Sequence, residues 1–208
     1  GVTIPLGRMV EPTQLIHGFG RTTWLPLLDD SFDALLLVGQ HAMANTDNGH
    51  LCHTYSRRRI SRVVLNGREI GEIGLGAGIA GHHGVPLAFV SGDDKAVAEA
   101  RDLVPDVATV TVKHGLSVNA CLSVPRVDAV RMIRDGVEKG LRAKSVWRPY
   151  VFERPMELAV EYRRREFFRA FCKAILRSGS GSLTGIRTLT ATGNNLPDLW
   201  DRLIGLRS

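Results

Sequence analysis

Three short apolar runs, L35-L-L-V38, V85-P-L-A-F-V90 and A108-T-V-T-V112, alternate with helix-patterned segments along the first 145 residues. No other feature constrains the fold as tightly. Each run is too short for an ordinary helix and rich in branched side chains, as expected of strands buried on both faces. Strands separated by helices run parallel, because a crossover helix carries the chain back to the end of the sheet where it started. The expected fold class is therefore α/β. Residues 1–145 form a mainly parallel sheet flanked by helices, and residues 146–208 a smaller C-terminal α+β part.

The remaining segments fill in that plan. Residues 60–70 read as a hairpin, two β-rich arms around Asn66-Gly67, a strong short-range turn signal. Residues 72–82 carry small and apolar residues at helical spacing. Ser91-Gly92-Asp93-Asp94 can cap a helix over 95–103. An amphipathic helix is expected over 124–140, starting near Pro125. Residues 156–162 alternate as a strand, 166–176 read as helix, 178–182 as a Ser/Gly turn, 183–191 as a strand and 195–206 as a terminal helix.

Composition excludes several classes. At 208 residues, 44% hydrophobic and 23% charged, the chain has material for a core. Three widely spaced cysteines, Cys52, Cys121 and Cys172, form no CxxC pair and no disulfide framework, so a reducing, cytoplasmic setting is expected. No apolar run approaches the roughly 20 residues that cross a bilayer, so no membrane is expected. The net charge of +6 permits an acidic partner without requiring one. Arg57-Arg58-Arg59 and Arg163-Arg164-Arg165 lack interleaved aromatic residues, so they read as solvated or subunit-facing surface rather than a nucleic-acid platform.

Two motifs bear on chemistry. G76-A-G-I-A-G81, with Asp93 and Asp94 downstream, fits a dinucleotide-binding pattern, but it follows a hairpin arm and lies inside a helix pattern. Glycines there let a helix pack closely against a neighbour, and a nucleotide site is not expected. The run after the first strand, from Gly39 to Ser56, holds His41, His50 and His53. A histidine directly after a buried strand is placed as a metal ligand would be, His53 can approach the same point, and Glu72 opens the next helix with a carboxylate.

G39-Q-H-A-M-A, C52-H-T-Y, N66-G-R-E-I-G-E-I-G-L-G-A, G84-V-P-L-A-F-V-S-G-D-D-K95 and V112-K-H-G-L-S117 occur in this order. In this the chain resembles the zinc-dependent D-aminopeptidases, a metallopeptidase family, almost from end to end. The resemblance implies a cocatalytic zinc pair, hydrolysis of short peptides that begin with a D-residue, and ring-like oligomers. It implies that His41 and Glu72 ligate zinc and that His53 acts as catalytic base or nucleophile. By motif position alone, Asp93, Asp94 and Lys113 become outer-shell or substrate-facing groups. The alternative is a non-catalytic scaffold or binding subunit that keeps the fold without metal.

The sequence departs from the family at several points. The His41–His53 spacing is one residue longer, Cys52 replaces a serine, and Val118 stands where arginine is usual. No Asp-x-Glu pair precedes His41, and His17 lies in the wrong context for the family's second histidine. Since those residues supply zinc ligands, the expectation is a proteolytically processed, two-chain enzyme. A short N-terminal partner chain would bring the remaining ligands to this longer chain in a homo- or hetero-oligomer.

Overall fold

The computed structural model describes residues 9–16, 24–163, 182–185 and 187–204. The helix expected over 166–176, most of the Ser/Gly turn, His17, Cys172, Arg164 and Arg165 lie outside that set.

The apolar runs become the parallel strands β1 (Leu35–Gln40), β4 (Leu87–Asp93) and β5 (Ala108–Ser117). β4 lies between the other two and parallel to both. It is buried at every position: Leu87–Val90 are apolar, as a strand covered on both faces requires, and Ser91, Gly92 and Asp93 are buried with them. Two details differ from the sequence reading. β4 runs on to Asp93, so the Ser-Gly-Asp stretch belongs to the strand. β5 continues to Ser117 and turns back antiparallel into β6 (Ala120–Ser123), a strand the sequence reading did not contain.

The Asn66-Gly67 hairpin forms, with β2 (Ile60–Leu65) paired to the short β3 (Arg68–Glu69); Asn66 and Gly67 both hold positive φ. β2 also pairs antiparallel with β7 (Met156–Tyr162). The expected single strand over 183–191 is instead two, β8 (Ser182–Gly185) and β9 (Thr188–Gly193), folded antiparallel. Period-2 alternation is the same for one long strand as for two short ones, so patterning alone does not place the turn. The second sheet has the order β3-β2-β7-β9-β8 and draws strands from both sides of residue 145.

Among the described residues, four α-helices complete the fold: α1 (Glu72–His82), α2 (Asp94–Leu103), α3 (Arg126–Arg142) and α4 (Leu196–Ile204). α1 is apolar all round because it is buried all round. Ile73 and Ala77 pack with Leu87, Val90, Ala96, Ala100 and Leu103, while Leu75 and Ile79 join Leu158, Leu189, Leu196 and Trp200 of the second sheet and α4. Each buried Leu, Ile or Val among them contributes roughly 1.5–3 kcal/mol by leaving water. The glycine pattern inside α1 serves this packing: a Cβ at Gly78 would collide with the Phe152 ring, and one at Gly81 with the Tyr150 backbone. α3 meets the sheet at Phe89 and Val110 through Gly136. Phe89 and Val90 are successive residues and point to opposite faces, so helices cover both sides of β4. No described helix is long and apolar enough to cross a membrane.

The buried Tyr162 hydroxyl donates to the Leu203 carbonyl at 2.5 Å and ties β7 to the last turn of α4. Tyr162→Phe leaves that carbonyl unpaired and is expected to cost about 1–3 kcal/mol. Urea titration checks this; an unchanged midpoint would remove the bond from the account of stability.

Candidate metal centre

His41 follows the last residue of β1, at the carboxyl end of the parallel strands, where the chain enters the connection of residues 41–59 to β2. Backbone bonds fold this connection on itself. The His53 N–H donates to the Ala42 carbonyl at 3.2 Å, and the Ala44 N–H donates to the hydroxyl of buried Thr54 at 3.1 Å. Leu51 N–H reaches across to the Val118 carbonyl at 2.8 Å, fastening the loop to the β5–β6 turn. These bonds stack the imidazoles of His41 and His53, with ring centroids 3.8 Å apart and planes 19° apart.

Glu72 comes from the other direction, as the first residue of α1. Its Oε1 accepts the Tyr55 N–H at 2.7 Å, which fixes the carboxylate under the loop. His41 Nε2 lies 3.6 Å from that oxygen and His53 Nε2 3.7 Å from it. Tyr55 is held in turn by aromatic contacts: its ring lies 5.3 Å from Trp24 and 5.5 Å from Trp200, a fully buried residue of α4. The C-terminal helix thereby buttresses a loop that the N-terminal half supplies.

The protons follow from the partners. His41 Nδ1 lies 3.1 Å from the Ala42 carbonyl and His53 Nδ1 lies 2.7 Å from the Leu51 carbonyl. A carbonyl only accepts, so each ring carries its proton on Nδ1 and, when neutral, turns a bare Nε2 lone pair toward Glu72. Two lone pairs and a carboxylate facing one point repel unless a cation lies among them. The three donor atoms fall within 4.8 Å of one another, and a backbone carbonyl on the second ring nitrogen is the usual support of a metal-binding histidine. Nitrogen and oxygen donors of this kind suit zinc. The residues present therefore fit the metal that the sequence implied.

The other residues singled out from sequence are not part of the trio. Asp93 is 2% exposed and caps α2, its Oδ1 accepting the N–H groups of Lys95 and Ala96 at 2.9 and 2.7 Å. Asp94 accepts the Gly115 N–H at 2.9 Å and pairs with Lys95 Nζ at 2.9 Å, joining α2 to β5. Lys113 lies half-buried on β5 opposite Asp93.

Glu99 was not visible from sequence. It sits on α2, and its Oε2 accepts the Met43 N–H at 2.8 Å, bracing the His41 loop from behind. Burial pushes its carboxyl up to about 7, against the pull of the Met43 and Gly71 amides and with help from the charges of Asp93 and Glu72. Only a weak signal marked it, an acid on the face of α2 that otherwise carries Ala96 and Ala100.

A raised carboxyl means that the folded chain holds its proton where the unfolded chain has released it. Stability contributed at Glu99 is therefore greatest below about pH 4.5 and declines as pH rises to about 7. Glu99→Gln keeps the acceptor for Met43 and removes the titration. Relative to wild type, the metal-free variant is expected to gain stability as pH rises through that window, measured by urea unfolding at pH 5 and 7.5. A pH-independent difference would show that Glu99 does not titrate there.

Comparison with known proteins agrees with the geometry. The model of the peptidase M55 family, D-aminopeptidase, matches residues 2–195. The D-aminopeptidase of Bacillus subtilis (strain 168) is 32% identical over 154 residues, 74% of this chain and 52% of that protein. The chain thus spans about half the length of the curated relative it matches. The zinc-dependent D-aminopeptidase DppA from Bacillus subtilis, a self-compartmentalizing protease, has a solved structure that aligns with a TM-score of 0.77 at 28% identity, covering 86% of this chain and 64% of that one. With the α/β fold shared and the family match running over most of its length, the chain belongs to the D-aminopeptidase family, peptidase M55.

Proposed function

We propose that this chain carries catalytic residues of a zinc aminopeptidase that releases an N-terminal D-residue from short peptides. The observation that carries the reading is the convergence of His41 Nε2, His53 Nε2 and Glu72 Oε1 on one point, with both Nδ1 atoms already committed to carbonyls. The zinc dependence of the related enzyme supports the identity of the metal, and its self-compartmentalizing nature supports a closed oligomer.

His41 and Glu72 would hold the ion. When bound, zinc supplies a Lewis acid that polarises the scissile carbonyl and acidifies water. His53 moves the proton. Its Nε2 is bare and 3.7 Å from Glu72 Oε1, so it takes a proton from the attacking water and returns it to the departing amine. The Leu51 carbonyl holds the ring in the tautomer this requires. A zinc pair needs more donors than this trio supplies. The further ligands come from outside the described residues, in this reading from a short companion chain.

His53→Ala is expected to lower turnover of D-alanyl peptides by about a hundredfold or more while zinc content is retained. His41→Ala and Glu72→Ala are expected to lose zinc on dialysis, read by elemental analysis. If His53→Ala strips zinc as completely as the other two, His53 is a ligand instead of a proton carrier. Wild-type protein without stoichiometric zinc would replace the enzyme by a non-catalytic subunit, and two zinc ions per site together with an equimolar small chain in native mass spectra would support the two-chain form.

A further inference from the structure

Beside His53 opens a cavity of about 160 Å³ whose lining includes Asn45, Cys52, Arg57, Val118 and Arg163 besides His53 itself. Among the described residues, no carboxylate lines it. The two arginines come from the basic triplets that read as plain surface in the sequence, and the fold brings them together across 106 positions. Arg163 Nε donates to the Arg57 carbonyl at 2.8 Å, and the Arg163 N–H donates to the Arg59 carbonyl at 2.8 Å. One of the five guanidinium donors of Arg163 is thereby used and the group is oriented. Among the described residues, neither Arg57 nor Arg163 has an acidic partner. Two neighbouring cations repel, and an anion between them relieves the repulsion while filling the remaining donors.

The position of the cavity says which anion. His53 lines it and also belongs to the metal-binding trio, so the two spaces adjoin. A peptide whose scissile amide lies at the trio continues at about 3.3–3.6 Å per residue. The cavity has room for about five waters at about 30 Å³ each, enough for one small residue and its terminus. We propose that Arg57 and Arg163 bind the free α-carboxylate of the substrate, one or two residues beyond the scissile bond, so that the site selects di- and tripeptides with an unblocked C-terminus. This rests on the peptidase reading above and adds the feature that limits substrate length.

The test compares D-alanyl-D-alanine with its C-terminal amide. The free acid is expected to be preferred in kcat/KM by about tenfold or more, the scale of a charge-assisted hydrogen bond. Arg57→Met and Arg163→Met should each bring that ratio toward one, and Arg57→Lys should restore part of it. Arg57→Met keeps the backbone carbonyl that orients Arg163, so it serves if Arg163→Met fails to fold. Calorimetry with the same two ligands on chelator-treated protein reads the preference without turnover, and inorganic phosphate is titrated alongside. Equal kcat/KM for acid and amide, or a preference that survives both Met variants, would overturn the assignment. If neither compound is hydrolysed, the peptidase reading fails and the calorimetry decides alone: tighter binding of the acid keeps the carboxylate site, and equal binding removes it. Binding of phosphate without discrimination between acid and amide would also remove it, leaving a general anion site.

Discussion

The site depends on where the Glu72 carboxylate is held. It stands at the first residue of α1, a helix clamped between two sheets, and one oxygen is fixed by the Tyr55 N–H. Negative charge is also favoured at a helix N-terminus. A carboxylate on a rigid element gives the histidines above it a fixed reference, and the loop that carries them is built to meet it. If α1 shifted, the three donors would no longer share one point.

The loop gains its precision from backbone bonds. The Ala42 carbonyl receives the His53 N–H and stands 3.1 Å from His41 Nδ1, so one peptide group positions both imidazoles. Behind it, Glu99 braces Met43. Beneath it, Tyr55 rests on Trp24 and Trp200. Buried acids are costly, and Asp93 Oδ2 is left without a partner among the described residues.

Much of the plan was legible along the chain. The parallel order of β1, β4 and β5 followed from apolar runs separated by helices. The Asn66-Gly67 turn followed from the need for positive φ, and the Asp93 cap from a short acid preceding a helix. His41, His53 and Glu72 stood out because a strand end, a loop and a helix start each expose a side chain. All of these are local: periodicity, turn chemistry and capping act over a few residues and are written in neighbouring letters.

What the sequence by itself determined, then, is the parallel strands, the Asn66-Gly67 hairpin, the helices over 72–82, 95–103 and 124–140 and the residue types able to bind a metal. Only the tertiary structure decided what those residues meet. The join of β2 to β7, the division of β8 from β9, the brace from Glu99 to Met43 across 56 positions and the meeting of Arg57 with Arg163 across 106 are long-range. Each is fixed by which apolar faces bury together and which backbone groups then need partners. A basic triplet looks the same in sequence whether it faces water or lines a cavity. The fold makes the difference by setting Arg57 and Arg163 on one cavity with His53.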